Sequence, residues 1–163
     1  IRDPDAVDQL INCGEGNETT LTVGGKYSVP SINQIGRGLN CTGIVKKITD
    51  GCFTITSPVQ TGLKVCLGRT VVFDIGSATI VITEEGWEPY GPELFMHGGL
   101  IPEESQFMLI KSRVHFRAGF ESVTNNIIMA AGPGVCSSDY SQFNFSRLPK
   151  PMFPFDKKMN LII

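Results

Sequence analysis

The sequence predicts an α+β domain: a mostly antiparallel sheet or meander, short helices, and a βαβ-like element toward the C-terminal end. Three observations carry this. Residues 39–82 hold closely spaced runs rich in β-branched side chains, "LNCTGIVKKI", "CFTIT", "RTVVFDI" and "ATIVIT", separated by turn signals. A capped helix pattern opens the chain. Residues 106–134 read as strand, helix, strand. At 163 residues the chain is long enough for one hydrophobic core and too short to need a second, so residues 1–163 are expected to form a single domain.

Each element has its own local reason. In "DPDAVDQLINCGEG" an aspartate precedes Pro4, apolar residues fall at Ala6, Val7, Leu10 and Ile11, and glycines end the pattern, which is the grammar of a short helix. "TTLTVGGKY" alternates as a strand and is broken by Gly24 and Gly25. The Thr49-Asp50-Gly51 turn predicts a hairpin between the strands on either side, and Gly76-Ser77 predicts a second one. Glu93 to His97 reads as a short helix stopped by Gly98-Gly99. "QFMLIK" and "NNIIMAAGPG" are nearly continuous apolar runs, the pattern of strands covered on both faces. Between them Ser112 is a good N-cap for a helix to about Val123, and a crossover of this length implies parallel pairing. The tail, "FNFSRLPKPMFPFDKKMNLII", reads as an extended segment laid over the surface.

Composition narrows the function. An apolar fraction of 41% and a charged fraction of 18% belong to an ordinary globular protein. A net charge of -2 gives no electrostatic case for a nucleic-acid or anionic-membrane partner, and neither is expected. No apolar run reaches the roughly 18 to 20 residues of a membrane span, and the N-terminus lacks a signal-peptide layout, so a cytoplasmic protein is expected. The five cysteines, Cys13, Cys41, Cys52, Cys66 and Cys136, are odd in number and contain no C-x-x-C pair; they read as free thiols rather than a disulfide framework. Sequons at Asn17, Asn40 and Asn144 would matter only in a secreted protein.

The densest polar chemistry lies in "LIKSRVHFRAGF", where an apolar run ends in Lys111 and Ser112 and is followed by Arg113, His115 and Arg117. If Lys111 and Ser112 stand between a strand and a helix, they occupy the place where open α/β sheets put ligands, suited to a carboxylate or phosphate. The plainer alternative is an ordinary capped helix, because His115 and Arg117, two residues apart, cannot both face one way. Gly24-Gly25-Lys26 is a second candidate anion loop, against glycines that merely close a strand. Glu84, Glu85 and Glu88 around Trp87 are a carboxylate group or simply solvated loop charges. His97 and His115 are the only histidines, with no H-x-x-x-H or H-E-x-x-H spacing, and no G-x-S-x-G, Walker A or G-x-G-x-x-G is present.

The strings "DPDAVDQLINCGEGNETTLTVGGK", "DGCFT", "LGRTVVFDIGSATIVITEE", "PYGPELFMHGGLIPEE", "KSRVHFRAGF" and "RLPKPMFPFD" together resemble the C-terminal domain of MlrC-like proteins, the microcystinase C group of M81 metallopeptidases, over nearly the whole chain. The K-S-x-x-H-F-R-A-x-F run is the most specific part. The resemblance implies a two-domain hydrolase whose larger N-terminal domain, preceding Ile1, carries a zinc-dependent peptidase site, and it accounts for a chain that starts at Ile1 rather than Met. It places Lys111, Ser112, His115, Phe116 and Arg117 toward an interdomain cleft, with Lys111, Ser112, His115 and Arg117 as substrate-binding candidates. The implied partners are the protein's own N-terminal catalytic domain and a small linear peptide or amide. Zinc is implied only in the full-length protein, and the isolated domain is expected to be inactive. The alternative is a non-catalytic binding or homo-oligomerisation module whose apolar tail makes subunit contacts.

Overall fold

A computed structural model describes residues 1–30, 33–132 and 136–156. The first element, α1 (Pro4–Cys13), forms where local chemistry asks for it. The Asp3 carboxylate accepts the Ala6 N–H at 3.1 Å, Pro4 fills the first helical position, and Gly14 at φ 85 ends the helix while its N–H donates to the Leu10 carbonyl. Ala6, Val7 and Leu10 form its buried face.

Among the described residues eight strands follow: β1 (Glu18–Val23), β2 (Ser28–Val29), β3 (Gln34–Ile35), β4 (Leu39–Thr49), β5 (Cys52–Thr54), β6 (Lys64–Cys66), β7 (Thr70–Asp74) and β8 (Thr79–Thr83). The main sheet has the order β1-β4-β7-β8, antiparallel throughout. Its register runs from Glu18↔Ile44 in the first pair to Asp74↔Thr79 in the last, with a shift in β4 between Val45 and Lys47. α1 lies on this sheet and closes a core of Leu21, Val23, Val45, Val71, Phe73 and Ile82 over its own three buried residues. Burial of these side chains, at about 1.5–3 kcal/mol each, is the main stabilising contribution.

A smaller layer is built on the β5–β6 pair. Ile55, Val65 and Leu67 are buried there under Phe53, Trp87, Tyr90 and Leu94. The short helix α2 (Glu93–His97) is held to this layer by its first residue. One oxygen of the buried Glu93 accepts both the backbone N–H and the hydroxyl of Thr56, at 2.9 and 3.0 Å, and the same two groups of Ser57, at 2.6 and 2.5 Å. Burial pushes the Glu93 carboxyl up, but these donors outweigh it and hold it below the usual range.

The α+β class, α1, the β7–β8 hairpin around Gly76-Ser77 and α2 agree with the sequence reading. Three expectations are corrected. The Asp50-Gly51 turn reverses the chain, with Gly51 at φ 68, but β4 and β5 do not pair: β4 lies between β1 and β7, and β5 pairs with β6. The turn moves the chain from one sheet to another instead.

The βαβ-like element is not formed among the described residues. Residues 106–111 and 125–132 form no helix or strand and have no ladder bonds, and the helix expected over 112–123 is a single turn, α3 (Arg117–Phe120). A strand needs a sheet edge, and the β8 edge is already taken by residues 1–3: the Asp3 N–H donates to the Thr83 carbonyl, and the Thr83 N–H to that of Ile1.

Finally, the cysteines are not all free. Cys52 and Cys66 stand opposite each other across β5–β6, with Cα atoms 4.1 Å apart, and are joined as a disulfide; Cys13, Cys41 and Cys136 are free. Strand pairing brought together two residues whose sequence spacing carried no sign of it.

Candidate functional site

The site grows out of a close approach between two backbones. Phe116, which caps α3, and Phe120, its last residue, are both buried, and the Phe120 ring stands edge-on to Phe95 of α2 at 6.3 Å. Between them Gly119 presses on the loop before α2. A Cβ at this position would lie 2.1 Å from the Tyr90 carbonyl oxygen and 2.6 Å from the Gly91 Cα. Only a glycine lets the helix come so near.

That approach sets Ser112 and His115 against Glu88. The Ser112 hydroxyl donates to Glu88 Oε1 at 2.6 Å and accepts the Phe116 N–H at 3.3 Å. His115 Nδ1 lies 3.4 Å from the same carboxylate oxygen. The Tyr90 ring meets the imidazole edge-on at 5.4 Å and is itself backed by Trp87 at 5.5 Å. The Ser112 hydrogen bond, with His115 adding to it against a smaller effect of burial, holds the Glu88 carboxyl below its ordinary range. Glu88 is therefore a fixed negative charge at neutral pH.

Of the four substrate-binding candidates, the structure brings Ser112 and His115 together and leaves Lys111 and Arg117 apart. Lys111 is exposed and, among the described residues, makes no ion pair or side-chain hydrogen bond. Arg117 is exposed, with its guanidinium over the Phe116 ring at 5.5 Å. The neighbouring Arg113 donates to the Ser138 hydroxyl at 2.8 Å and thereby ties down the chain that follows. Glu88 was read from sequence only as one of a possible carboxylate group with Glu84 and Glu85, and nothing in the spacing tied it to Ser112 and His115. Its one local signal was a carboxylate set between Trp87 and the Pro89-Tyr90 pair.

The two other sites considered from sequence resolve differently. Lys26 reaches the buried Asp3 at 2.7 Å, and the Gly24 N–H donates to the other oxygen of that carboxylate at 2.7 Å, so this glycine loop binds an internal anion. Glu84 is engaged with Arg69, which also reaches Asp8 at 2.7 Å, and Glu85 with Arg2 at 3.6 Å; the three glutamates do not form one group.

Among the described residues, no three His, Cys, Asp or Glu side chains come together as a ligand set for a metal ion. His97 lies near Asp50 instead, 3.4 Å from its carboxylate. Chemically, the Glu88 cluster can orient an imidazole through Nδ1 and leave Nε2 to meet a polar atom. Ser112, with its proton on Glu88 and a lone pair on Phe116, is a positioning group and not a primed nucleophile.

Among the described residues no helix is long and apolar enough to cross a membrane. The chain is 30% identical over 156 residues to microcystinase C of Sphingomonas sp., covering 96% of this chain and 28% of that protein. Its fold superposes on the crystal structure of a candidate metallopeptidase from Mesorhizobium sp. BNC1 with a TM-score of 0.82 at 22% identity, covering 96% of this chain and 30% of that one. The chain therefore spans less than a third of the length of either protein. The two sequence strings that meet in the site, "PYGPELFMHGG" and "KSRVHFRAGF", lie within the 1–147 stretch matched by the family model described as MlrC C-terminus, and the chain belongs to that family.

Proposed function

We propose that the chain is the C-terminal domain of an MlrC-like, zinc-dependent metallopeptidase and lines a substrate cleft shared with the rest of a longer protein, where small linear peptides or amides are hydrolysed. The observation that carries this reading is the convergence of Ser112 and His115 on the ionised Glu88. Membership of the family and the metallopeptidase name of the Mesorhizobium structure support this reading; microcystin, in the name of the Sphingomonas relative, is not carried over as the substrate.

In this reading Lys111 and Arg117 supply positive charge for a substrate carboxylate, and His115, oriented by Glu88, offers Nε2 to a polar atom of the substrate. Zinc belongs to the part of the protein outside these residues, and this domain alone is inactive. The protein is placed in the cytoplasm, where thiol buffers would act on the exposed Cys52–Cys66 pair.

The test is zinc content and hydrolysis of a short linear peptide by the full-length protein. His115→Ala should lower kcat by roughly 100-fold and Lys111→Ala should raise KM by roughly 10-fold, with zinc content unchanged in both. A zinc-loaded protein that cleaves the peptide equally well with either substitution refutes the assignment. The exposed apolar residues before and after α3 favour a second reading, a non-catalytic binding or oligomerisation module. A metal-free, inactive full-length protein that self-associates would establish it.

A further inference from the structure

Two stretches of the chain have the composition of buried strands and the exposure of loops. Residues 106–110 leave the 3-10 turn Pro102–Glu104 and run into Lys111 outside any helix or strand, with Phe107 82% and Leu109 93% exposed. Residues 126–132 leave the turn after α3 in the same state, with Ile128 87% exposed and Met129 beside it also in solvent. Among the described residues, no backbone or side-chain hydrogen bond engages the main chain of 107–111 or 127–132. Apolar, β-prone segments with unpaired edges are what folded proteins ordinarily cover.

We infer that these two segments are strands that add to a sheet in the remainder of the longer protein, and that their pairing fixes the Lys111–Arg117 segment at the seam between the two parts. The inference rests on the proposed function in one respect only, that this chain is one domain of a longer protein. Three facts support this occupant. The relatives are matched over only 28% and 30% of their length, which leaves ample chain to provide a sheet. The β8 edge of the sheet in this chain is already covered by residues 1–3, so neither segment can join there. The first segment also runs without interruption into Lys111 and Ser112, so docking it would set the site at the domain boundary.

The connection through α3 decides the geometry. Two strands joined by a crossover of about a dozen residues enter one sheet in parallel, and the α3 turn then covers one face of it. Main-chain bonds would give the affinity, and alternate apolar side chains would fill the two faces.

The test is amide hydrogen exchange of the full-length protein, read by mass spectrometry on peptides covering 106–111 and 126–132, with sedimentation across a concentration series. The expected result is protection of roughly 100-fold or more in both segments at every concentration, with the protein monomeric at the lowest. Exchange at the unstructured rate in either segment overturns the inference. Protection lost on dilution together with a dimer overturns it in favour of a second copy as occupant. Leu109→Asp and Ile128→Asp, at positions that this domain leaves in solvent, should release the protection without unfolding the core around Phe73, whose own exchange serves as the control. The zinc and peptidase assay stands apart: protection in an inactive protein refutes the proposed function alone, and activity without protection refutes this inference alone.

Discussion

Replacing Gly119 by alanine tests the seam on which the site depends. On an exposed helix the change would stabilise by up to about 1 kcal/mol, because alanine restricts the unfolded chain and favours helix. Here the added Cβ would meet the Tyr90 carbonyl oxygen at 2.1 Å and the Gly91 Cα at 2.6 Å, and both are backbone atoms that no rotamer change can remove. To reach ordinary contact, α3 and the loop must part by more than about 1 Å. Overpacking of this kind costs about 1–3 kcal/mol. The same movement stretches the 2.6 Å bond from Ser112 to Glu88, which adds about 1.5 kcal/mol, the lower end for a charged acceptor because Glu88 is partly exposed. The net expectation is a loss of about 1.5–3.5 kcal/mol, seen as a lower urea midpoint with an unchanged slope, together with a rise of the Glu88 titration toward the usual carboxylate value by carbon NMR. Ala118→Gly, at the exposed neighbouring position, serves as the reference and should cost only about 0.5–1 kcal/mol with Glu88 unaffected. A Gly119→Ala protein that is more stable than the parent, with Glu88 still depressed, would refute the close approach and with it the site.

Three further outcomes can be checked on the same protein. Ser112→Ala should raise the Glu88 titration midpoint while leaving the fold intact, because the serine hydroxyl is the largest influence holding that carboxyl down. Asp3→Asn removes a buried partner of Lys26 and should cost about 2–4 kcal/mol by denaturant titration. Burial pushes the Asp3 carboxyl up, and the bonds from Lys26, Gly24 and Ala6 more than reverse this; its folded value is depressed, so its contribution is present above the ordinary aspartate range and lost as pH falls through the folded value. The asparagine protein should accordingly lack that acid-dependent component. Glu93→Gln keeps the shape but not the charge opposite four donors, and should lower stability by about 1.5–3 kcal/mol in a denaturant titration, with the exchange of Thr56 and Ser57 amides accelerated.

Elements whose causes lie within a few residues were legible in the sequence. The capping of α1 by Asp3, its Pro4 start and its glycine stop are local, and so is the Gly76-Ser77 reversal between β7 and β8. Asp50-Gly51 was legible as a turn but not as a change of sheet, since a turn states where the chain reverses and not which strand it will pair with. Residues 106–111 have the apolar density of a strand covered on both faces, but among the described residues they join no sheet, and Phe107 and Leu109 stand in solvent. The site was half legible: Lys111 to Arg117 stood out by type, whereas Glu88 lies 24 residues before Ser112 and is joined to it only through the approach of Gly119 to Tyr90. The Cys52–Cys66 bond was hidden for the same reason, its spacing being set by a ladder.

The departure of the chain at Asp50-Gly51 has an architectural consequence. Because β4 and β7 are direct neighbours, with Thr49 opposite Thr70 at the base, everything between them is an excursion that the main sheet does not require. Trp87, Tyr90 and Leu94 rest on that excursion, and Glu93 is moored to it at Thr56 and Ser57. The chemistry is thus mounted on a graft with its own small core, while α1 and the four-stranded sheet act as its stand. Substitutions in the graft can alter the fit of Glu88 to its partners without disturbing the stand. A substitution such as Val45→Ala in the larger core should lower global stability while leaving the Glu88 titration where it is.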